Sequence, residues 1–599
     1  MRTLARYTAG GLLLGLIAAA FALIAFPHFY SHGYELPFFP VVGLVAGVAV
    51  GSLVLLVRAA RRRPANASKP AIGTRFLVIL LVTAAVVAGL YALRAPARSW
   101  KVAPRLVVLC IDGGTWDIID PLIEAGRLPN LARLKRDGVA SDLMSTDPSF
   151  SMIAWTTIGT GVQPEKHGIQ SFYDTMDNLQ AKRFWEVFEE RGHSIGLFRW
   201  WITWPPRPCN GFVIPDILAR DASSFPGEYA FVNQFRSDMK SDRDIPLPER
   251  FATAWRFLRS GLRFETCADI GFEVLGAARA RRWPDRHVAA RRAEIRLNAD
   301  VYGHLLREFR PEYTCFYDNG VDQMCHFYWQ YYEPEKYRDL DPAEVARYGQ
   351  VIPDYYALHD EVIGSLLEHI DPSASVVVLS DHGFAADSTG AHNWFFPRGV
   401  PIVSDLGWDD EYYSLAMSSR TFIYSVRRDP VERRAALERA LARVNSLIVD
   451  ESGVPLFAAW IDEDMYVQLD VSDSLRSLEG HVATPSGLVP LENWFTTRVF
   501  GGMHHPKGIF IGSGSAFRHG HKGAPARLID VAPTVLYAMG FPISRELDGS
   551  IVWDWISEAF RAGGEVAWVD TYGLYDSRRR DTVVDEETMK KLRSLGYIR

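Results

Sequence analysis

The stretch "RLVVLCIDGG", residues 105–114, is a continuous apolar run that ends in an aspartate and two glycines. A strand with one face in water alternates apolar and polar residues, whereas a strand buried on both faces of a parallel sheet is apolar throughout. The Gly-Gly pair then marks a turn. The stretch therefore predicts a central parallel strand whose carboxyl end presents Asp112.

Two further stretches repeat this pattern of an apolar run that ends in an acidic residue. They are "YTCFYD" at 313–318 and "SVVVLSDHG" at 375–383, and the helical pattern "YYALHDEVIGSLLEHI" at 355–370 lies between them. A later run, "KGIFIGSG" at 507–514, also has the composition of a strand. Strands that alternate with helices in this way indicate an α/β domain built around a mostly parallel sheet.

Two regions depart from this alternation. Residues from about 205 to 300 begin with proline-rich turns and continue into arginine-rich helical patterns, and residues from about 396 to 498 are irregular. We interpret both regions as insertions beside the sheet. The sequence thus predicts one α/β domain over residues 98–599, with insertions at about 205–300 and 396–498.

The first hundred residues contain three long apolar segments, at about 7–26, 36–57 and 76–93. Each has roughly the 18–20 residues that an α-helix needs to cross the apolar part of a bilayer. One such segment alone is compatible with a buried helix or a cleaved signal peptide, but three in succession favour a membrane anchor. We therefore predict that residues 1–97 form an anchor of three transmembrane helices.

Basic residues beside these segments predict their orientation. The first loop, at 27–35, has no Lys or Arg, whereas the second loop, at 58–75, has six. The positive-inside rule makes the second loop and the N-terminus cytoplasmic. The third helix would then end on the other side. The sequence predicts an integral protein of the inner or plasma membrane whose large domain is extracytoplasmic, either periplasmic or on the outer face.

Charge and cysteine content exclude some classes of partner and site. The formal net charge is −6, so nothing in the composition favours binding to nucleic acid. The five cysteines include no Cys-x-x-Cys pair, so a zinc–thiolate site is not indicated. A metal site in this chain would therefore be built from carboxylates and imidazoles.

Such side chains cluster at the predicted carboxyl ends of the strands, where α/β sheets bind ligands. Asp322 and His326 are four residues apart, a spacing that puts both on one face of a helical turn. Each candidate alone has an ordinary explanation as a helix cap, a turn or an exposed helix face. Oxygen and imidazole ligands suit zinc and manganese, and six of them are enough for two ions. The candidates are Asp112, Asp322, His326, Asp381, His382, and His504 or His505.

Six motifs follow one another between roughly Leu106 and Trp555. They are "VVLCIDGGTWD", "TTIGTGVQPEKHGI", "VDQMCHFYW", "VVVLSDHGF", "MHHPKGIFIGSG" and "LIDVAPTVLYAMGFP" with a later "LDG". In this order they resemble the alkaline phosphatase superfamily and, within it, the type I phosphodiesterase/nucleotide pyrophosphatase family. The resemblance implies a sandwich of a mostly parallel sheet between helices, with the inserted regions as caps.

The resemblance also implies two divalent metal ions, with zinc preferred and manganese as the alternative. The ligands implied for one ion are Asp112, Asp381 and His382. The ligands implied for the other are Asp322, His326 and His504. His504 is preferred over His505 because it stands four residues before Gly508, as in the His-x-x-x-Gly form of the family.

The nucleophile is also placed by the resemblance. Counting back from "TGVQPEKHGI" reaches Ser151, with Ser149 as the alternative. The threonines at 156–160 are expected inside the helix that follows, and His167 is expected to close the next turn as a structural residue. Metal coordination and the helix N-terminus would activate the serine, which is a weak nucleophile by itself.

These residues imply a membrane-anchored hydrolase of phosphoric esters that acts through a covalent seryl intermediate. Diesters are expected ahead of monoesters, because no Arg between Ser151 and Gly161 is available to clamp a further phosphate oxygen. The alternative is a transferase that moves a lipid-derived phospho-headgroup to a glycan or lipid. A non-catalytic receptor that contains metal is less favoured, because all six ligands are present.

Overall fold

A computed structural model describes residues 101–575, apart from 148, 171–173, 241–245, 264, 272, 274–281, 338–339, 387–394, 418–419, 428, 463–464, 473 and 497–500. The three predicted transmembrane segments, at 7–26, 36–57 and 76–93, lie outside the described residues. Among the residues that are described, no helix combines the length and the apolar character that crossing a membrane requires.

The described part of the chain alternates strands and helices. Its strands are β1 Leu106–Ile111, β2 Val139–Met144, β3 Ile195–Phe198, β4 Gly211–Ile214, β5 Tyr313–Asp318, β6 Ser375–Leu379, β7 Gly383–Ala386, β8 Phe396–Pro397, β9 Tyr412–Met417, β10 Arg420–Ser425, β11 Phe457–Asp462, β12 Tyr466–Val471, β13 His481–Thr484, β14 Gly487–Pro490, β15 Phe495–Thr496, β16 Gly502–His505, β17 Lys507–Ser513, β18 His521–Lys522, β19 Ala526–Arg527, β20 Ile543–Ser544 and β21 Trp568–Val569. Its α-helices are α1 Trp116–Glu124, α2 Pro129–Asp137, α3 Ser151–Thr160, α4 Pro164–His167, α5 Phe184–Glu189, α6 Phe231–Lys240, α7 Leu247–Arg259, α8 Trp283–Phe309, α9 Gly320–Tyr332, α10 Pro342–Tyr348, α11 Val351–Leu367, α12 Gly399–Asp405, α13 Pro430–Val444, α14 Leu491–Trp494, α15 Val531–Ala538 and α16 Glu558–Ala562.

The main sheet has the strand order β18-β2-β17-β6-β1-β5-β3-β4, and β19 also pairs with β2. The central strand β1 is parallel to β5 on one side and to β6 on the other. β17 is antiparallel to both of its neighbours, whereas the other pairings in this sheet are parallel. The predicted α/β class with a mostly parallel sheet is therefore confirmed. The apolar runs that predicted it form β1, β5 and β6, which are neighbours in the sheet.

Helix α3, "SMIAWTTIGT", is buried along all ten of its residues. It has no charged residue and no polar stripe, which is the pattern of a helix surrounded by other elements rather than one at a surface. It contacts α15 and α5 within the main core. The helix ends at Gly161, whose φ of +71° is the left-handed conformation that glycine adopts most readily. Ser151 is the first residue of this helix, and the threonines at 156–160 lie inside it, as predicted.

A second sheet lies within the region 396–498 and has the order β11-β12-β10-β9, with antiparallel pairings. Alternate residues point to opposite faces of a strand. One face carries Ile423 and Val467 into a core that also contains Leu437 of α13. The opposite face carries Phe422 and Tyr466 into the core of the main sheet.

Residues 228–310 belong to a separate compact unit, whereas both sheets belong to the unit of residues 104–227, 311–363 and 373–599. In the first of these units, Phe231 and Phe257 make an edge-to-face contact with ring centroids 4.9 Å apart. Arg263 and Asp300 form an ion pair at 2.6 Å. The boundaries of the predicted anchor and insertions stay predictions.

Candidate metal centre and nucleophile

Three adjacent parallel strands bring candidate ligands to one edge of the main sheet. Asp112 follows β1, and Asp381 and His382 follow β6. α9 begins directly after β5 and carries Asp322 in its first turn. Because β6, β1 and β5 are neighbours and run in the same direction, their carboxyl ends deliver these side chains to the same place.

The antiparallel direction of β17 explains how a histidine that precedes a strand reaches the same edge. The amino end of a reversed strand lies beside the carboxyl ends of its neighbours. β16, just before β17, pairs with β7, just after β6, so that His504 lies opposite Phe384. The ring of His504 stacks on that of His382, with centroids 3.5 Å apart.

The Gly113 position shows how closely these segments approach each other. Its φ is +73°, and a Cβ atom there would lie 2.6 Å from the ring of Phe384 and 3.3 Å from the Cα of Asp322. A larger residue would therefore clash with the ring and strain the backbone. The glycine of "IDGG" allows the strand end with Asp112 to contact the helix with Asp322.

The first ligand group, which we call the serine-side half-site, consists of Asp112, Asp381 and His382. All three side chains are buried, and one ligand atom of each lies within 4.8 Å of the others. His382 Nε2 is 3.4 Å from Asp112 Oδ1 and 3.4 Å from Asp381 Oδ2. The main-chain N–H of Gly113 donates to Asp381 Oδ1 at 3.4 Å. His382 Nδ1 faces the Gly383 carbonyl oxygen at 3.1 Å, which directs Nε2 towards the two carboxylates.

The second group, which we call the histidine-rich half-site, consists of Asp322, His326 and His504. Asp322 Oδ1 is 3.3 Å from His326 Nε2 and 3.3 Å from His504 Nε2. Each histidine has its other ring nitrogen next to a main-chain carbonyl oxygen, that of Gly502 for His326 and that of Ser149 for His504. This arrangement fixes the ring orientation and the tautomer, as is common for histidines that bind metal ions.

These residues fit divalent metal ions. Asp322 Oδ1 and Asp381 Oδ2 are buried oxygen atoms with no hydrogen bond from any of the described residues, although a buried carboxylate oxygen normally has one. Asp322 Oδ1 faces two imidazole nitrogens at 3.3 Å, and Asp381 Oδ2 faces one at 3.4 Å. Three ligands of this type per group suit zinc or manganese.

The electrostatics of the two half-sites differ. Burial raises the pKa of Asp112 well above its ordinary value, and the charges of Asp381 and Asp322 raise it further. Burial and then the charge of Asp322 raise the pKa of Asp381 to about 8. Burial acts in the same direction on Asp322, but His326 and His504 outweigh it and lower the pKa of Asp322. The serine-side half-site therefore holds carboxylates that lack compensating positive charge.

Ser151 lies beside the serine-side half-site. Its Oγ is 3.5 Å from Asp112 Oδ1 and 3.5 Å from His382 Nε2, and the residue is 1% exposed. The helix that begins at Ser151 directs its positive dipole end towards this position. Ser149 instead presents its carbonyl oxygen, which accepts from His504 Nδ1 at 2.7 Å.

The groups that orient Asp112 are not among the candidates taken from the sequence. Tyr317 donates its hydroxyl to Asp112 Oδ2, and Trp155 Nε1 donates to the same oxygen at 3.3 Å. Trp201 Nε1 donates to the Tyr317 hydroxyl at 2.7 Å. With Oδ2 held in this way, Oδ1 is the oxygen that faces Ser151 and His382. Trp155 stands four residues after Ser151, a helical spacing that is visible in the sequence.

Two other histidines, His167 and His505, lie outside both ligand groups of the described residues. His167 is fully buried, accepts from the Ile169 N–H through Nδ1 at 3.1 Å and contacts the Thr157 hydroxyl at 3.0 Å. Burial lowers its pKa to about 3, so it stays neutral as a structural residue. His505 accepts from the main-chain N–H of Lys507 and is not in either ligand group of the described residues.

Comparison with known proteins gives one family. The model of the type I phosphodiesterase/nucleotide pyrophosphatase family matches residues 106–504. Among solved structures, human ectonucleotide pyrophosphatase/phosphodiesterase 5 is similar with a TM-score of 0.41 and 13% identity, over 76% of this chain and 100% of that chain. No curated protein matches the chain at a significant level.

Proposed function

The chain belongs to the type I phosphodiesterase/nucleotide pyrophosphatase family and is a phosphoric ester hydrolase, and we propose that it is a two-metal phosphodiesterase with Ser151 as the nucleophile. The observation that carries this proposal is the position of the Ser151 hydroxyl. It lies 3.5 Å from Asp112 and from His382, two members of a buried group of three metal-type ligands. The histidine-rich half-site adjoins this group through the stacked rings of His382 and His504.

Six side chains would hold the two ions in this proposal. The serine-side half-site supplies two carboxylates and one imidazole, and the histidine-rich half-site supplies one carboxylate and two imidazoles. Two divalent ions, with zinc preferred and manganese as the alternative, would lower the pKa of the serine hydroxyl and stabilise charge on the phosphoryl oxygens. The support for this assignment is that Asp322 Oδ1 and Asp381 Oδ2 are buried and accept no hydrogen bond from the part of the chain that the structure describes.

The protein groups then account for a two-step reaction. Ser151 Oγ attacks phosphorus in line, the bond from phosphorus to the leaving oxygen breaks, and the leaving alcohol takes up a proton. The resulting phosphoseryl ester is cleaved by water, which adds its hydroxyl group to phosphorus and returns the proton to Ser151. Tyr317 and Trp155 hold Asp112 so that one of its oxygens faces the serine throughout. The helix dipole at Ser151 favours the negative charge that develops there.

We propose diesters ahead of monoesters as substrates. The support comes from the sequence, since no Arg between Ser151 and Gly161 is available for a further phosphate oxygen. The test is a rate comparison of bis-p-nitrophenyl phosphate with p-nitrophenyl phosphate, for the wild type and for Ser151→Ala. We expect faster cleavage of the diester and loss of both activities in the variant. An unchanged rate in Ser151→Ala would exclude this serine as the nucleophile.

A second assay, with a labelled phospholipid as substrate, separates hydrolysis from transfer. With labelled phospholipid and a glycan acceptor present, a hydrolase releases label into water, whereas a transferase attaches it to the acceptor. We expect release into water. Label on the acceptor would keep Ser151 as the nucleophile but replace water by an alcohol in the second step.

We also propose, on sequence grounds, that residues 1–97 anchor the enzyme in a membrane and that residues 98–599 act on its extracytoplasmic side. The support is the set of three apolar segments and the six basic residues between the second and third. Protease treatment of sealed, right-side-out vesicles tests this topology. We expect digestion of the large domain without lysis, and full protection would contradict the proposed orientation.

A further inference from the structure

The main chain immediately before Ser151 is fixed by two sets of hydrogen bonds. The Ser149 carbonyl oxygen accepts from His504 Nδ1 at 2.7 Å. The Phe150 carbonyl oxygen accepts from the N–H groups of Ile153 at 3.0 Å and Ala154 at 2.9 Å, which starts the helix. These bonds hold the backbone of residues 149–150 at one end to a candidate metal ligand and at the other to the nucleophile helix.

The Phe150 side chain is held by a different part of the molecule. Its ring, which is 2% exposed, makes an edge-to-face contact with Phe422, with centroids 5.4 Å apart and an angle of 83° between the planes. It also lies 6.3 Å from the ring of Tyr424. Both partners belong to β10 of the second sheet, which lies in the insertion predicted at about residues 396–498.

The two partner rings are themselves part of a packed cluster. Tyr466 lies 5.1 Å from Phe422 and 5.3 Å from Tyr424, and Tyr413 stacks on Tyr424 at 5.2 Å. Strand pairing places Tyr413, Tyr424 and Tyr466 side by side across β9, β10 and β12. We call these four residues, Tyr413, Phe422, Tyr424 and Tyr466, the aromatic patch.

We propose that the aromatic patch positions Ser151 for attack by holding the ring of Phe150. This inference rests on the proposed function, in which Ser151 is the nucleophile. Phe150 precedes the serine directly, so a shift of its ring moves the first turn of α3 and with it the Ser151 hydroxyl. A nucleophile displaced by about 1 Å can lose about a hundredfold in rate. Phe422 and Tyr424 are therefore positioning residues of the reaction.

The patch acts on the nucleophile more directly than on metal binding, because its connection to a metal ligand runs through the Ser149 carbonyl oxygen to His504 Nδ1. Five of the six metal ligands follow or lie near the ends of β1, β5 and β6, and the sixth lies on β16. None of these elements contributes a ring to the patch. Loss of a patch ring should therefore lower kcat while metal content and KM stay close to those of the wild type.

The test compares Phe422→Leu with Phe457→Leu on the full-length protein. Both phenylalanines lie in the second sheet and are 5% exposed, but Phe457 is in the opposite core, where it stacks on Phe495 at 5.6 Å. The two substitutions remove the same atoms at the same burial. We expect Phe422→Leu to lower kcat for bis-p-nitrophenyl phosphate by at least about tenfold. We expect wild-type kcat in Phe457→Leu, with a similar decrease in Tm.

A second pair of variants covers the case in which Phe422→Leu does not fold. Tyr424→Leu removes a ring of the patch, whereas Tyr424→Phe keeps the ring and removes a buried hydroxyl that has no hydrogen-bond partner in the described residues. We expect Tyr424→Phe to recover most of the kcat that Tyr424→Leu loses. Bound metal is measured in every variant.

The outcomes distinguish this inference from the proposed function. Equal losses of kcat in Phe422→Leu and Phe457→Leu would show that the patch contributes only stability. A loss that follows the metal content would show that the patch acts through the metal centre and not by positioning Ser151. Wild-type activity in Ser151→Ala would overturn the proposed function itself. An inactive Ser151→Ala together with wild-type kcat in Phe422→Leu would overturn the positioning role alone.

Discussion

The two half-sites contain the same two residue types in opposite proportion. The serine-side half-site has two aspartates and one histidine, whereas the histidine-rich half-site has one aspartate and two histidines. In the first, burial raises the pKa of both carboxyl groups, and the charge of Asp322 raises both further. In the second, the histidines outweigh burial and lower the pKa of the carboxyl group. With ionised carboxylates and neutral imidazoles, the formal charges are −2 and −1. The serine-side half-site therefore carries the larger negative charge, so a bound cation stabilises it more than it stabilises the histidine-rich half-site.

The largest expected effect comes from the removal of one carboxylate charge in each half-site. Asp381→Asn should lower the bound metal from two ions to one and reduce activity by at least about 10³-fold, since the group acts as a unit with Ser151. Asp322→Asn should also leave one ion. Metal analysis and kcat of both variants check this, and two ions retained in either variant would argue against that aspartate as a ligand.

The charge difference also predicts the order in which a chelator removes the two ions. The histidine-rich half-site has the smaller negative charge, and its His326 side chain is 12% exposed, whereas the three side chains of the other half-site are buried. We expect its ion to leave first. A chelator titration of Asp322→Asn and Asp381→Asn, each with one half-site intact, measures the two affinities separately. Tighter metal binding in Asp381→Asn than in Asp322→Asn would show that the histidine-rich half-site has the higher affinity and would contradict this order.

The pH dependence of metal binding should differ between the half-sites. The raised pKa of Asp381, about 8, means that its carboxyl group carries a proton below that pH in the metal-free protein, and an entering ion must displace the proton. Affinity at the serine-side half-site should thus fall about tenfold per pH unit below pH 8. The lowered pKa of Asp322 keeps that carboxylate ionised over the same range. Zinc titration of the wild type from pH 9 to pH 6 follows both binding steps with the charge of Asp322 in place, which helps to raise the pKa of Asp381. Equal slopes for the two steps would contradict the assigned difference.

A smaller effect is expected from Tyr317→Phe, which removes one donor to Asp112 Oδ2 and leaves the ring in place. Loss of such an outer hydrogen bond commonly weakens metal affinity by about tenfold or more. Tyr313→Phe is the matched control, because it lies on the same face of β5 and its buried hydroxyl has no hydrogen bond in the described residues. Calorimetry measures the zinc affinity of both variants. Equal affinities would show that the Tyr317 hydroxyl does not contribute to metal binding.

The sequence predicted those features that depend on local pattern. The apolar runs at β1, β5 and β6 indicated a parallel sheet, and the residues after them indicated the positions of Asp112, Asp322 and Asp381. Ser151 was placed by resemblance rather than by pattern, and the structure has it at the start of a buried helix.

Features that depend on long-range contacts were not predictable in the same way. Nothing in "KGIFIGSG" indicates that β17 runs antiparallel, yet this direction brings His504 to the site. The contact of Tyr317 with Asp112 joins residues 205 positions apart, and Trp201 donates to the Tyr317 hydroxyl from a third segment of the chain. Contacts of this kind depend on how distant segments pack across the sheet, and the local spacing of apolar residues in the sequence carries no information about that packing.

In the proposed function, six side chains form two cation sites beside one serine. The most direct measurement is a crystal structure of the zinc-loaded protein with diffraction data on both sides of the zinc absorption edge. We expect two anomalous peaks, one among Asp112, Asp381 and His382 and one among Asp322, His326 and His504, with Ser151 Oγ adjacent to the first. A folded protein with no peak at either group, or with zinc bound elsewhere, would contradict it.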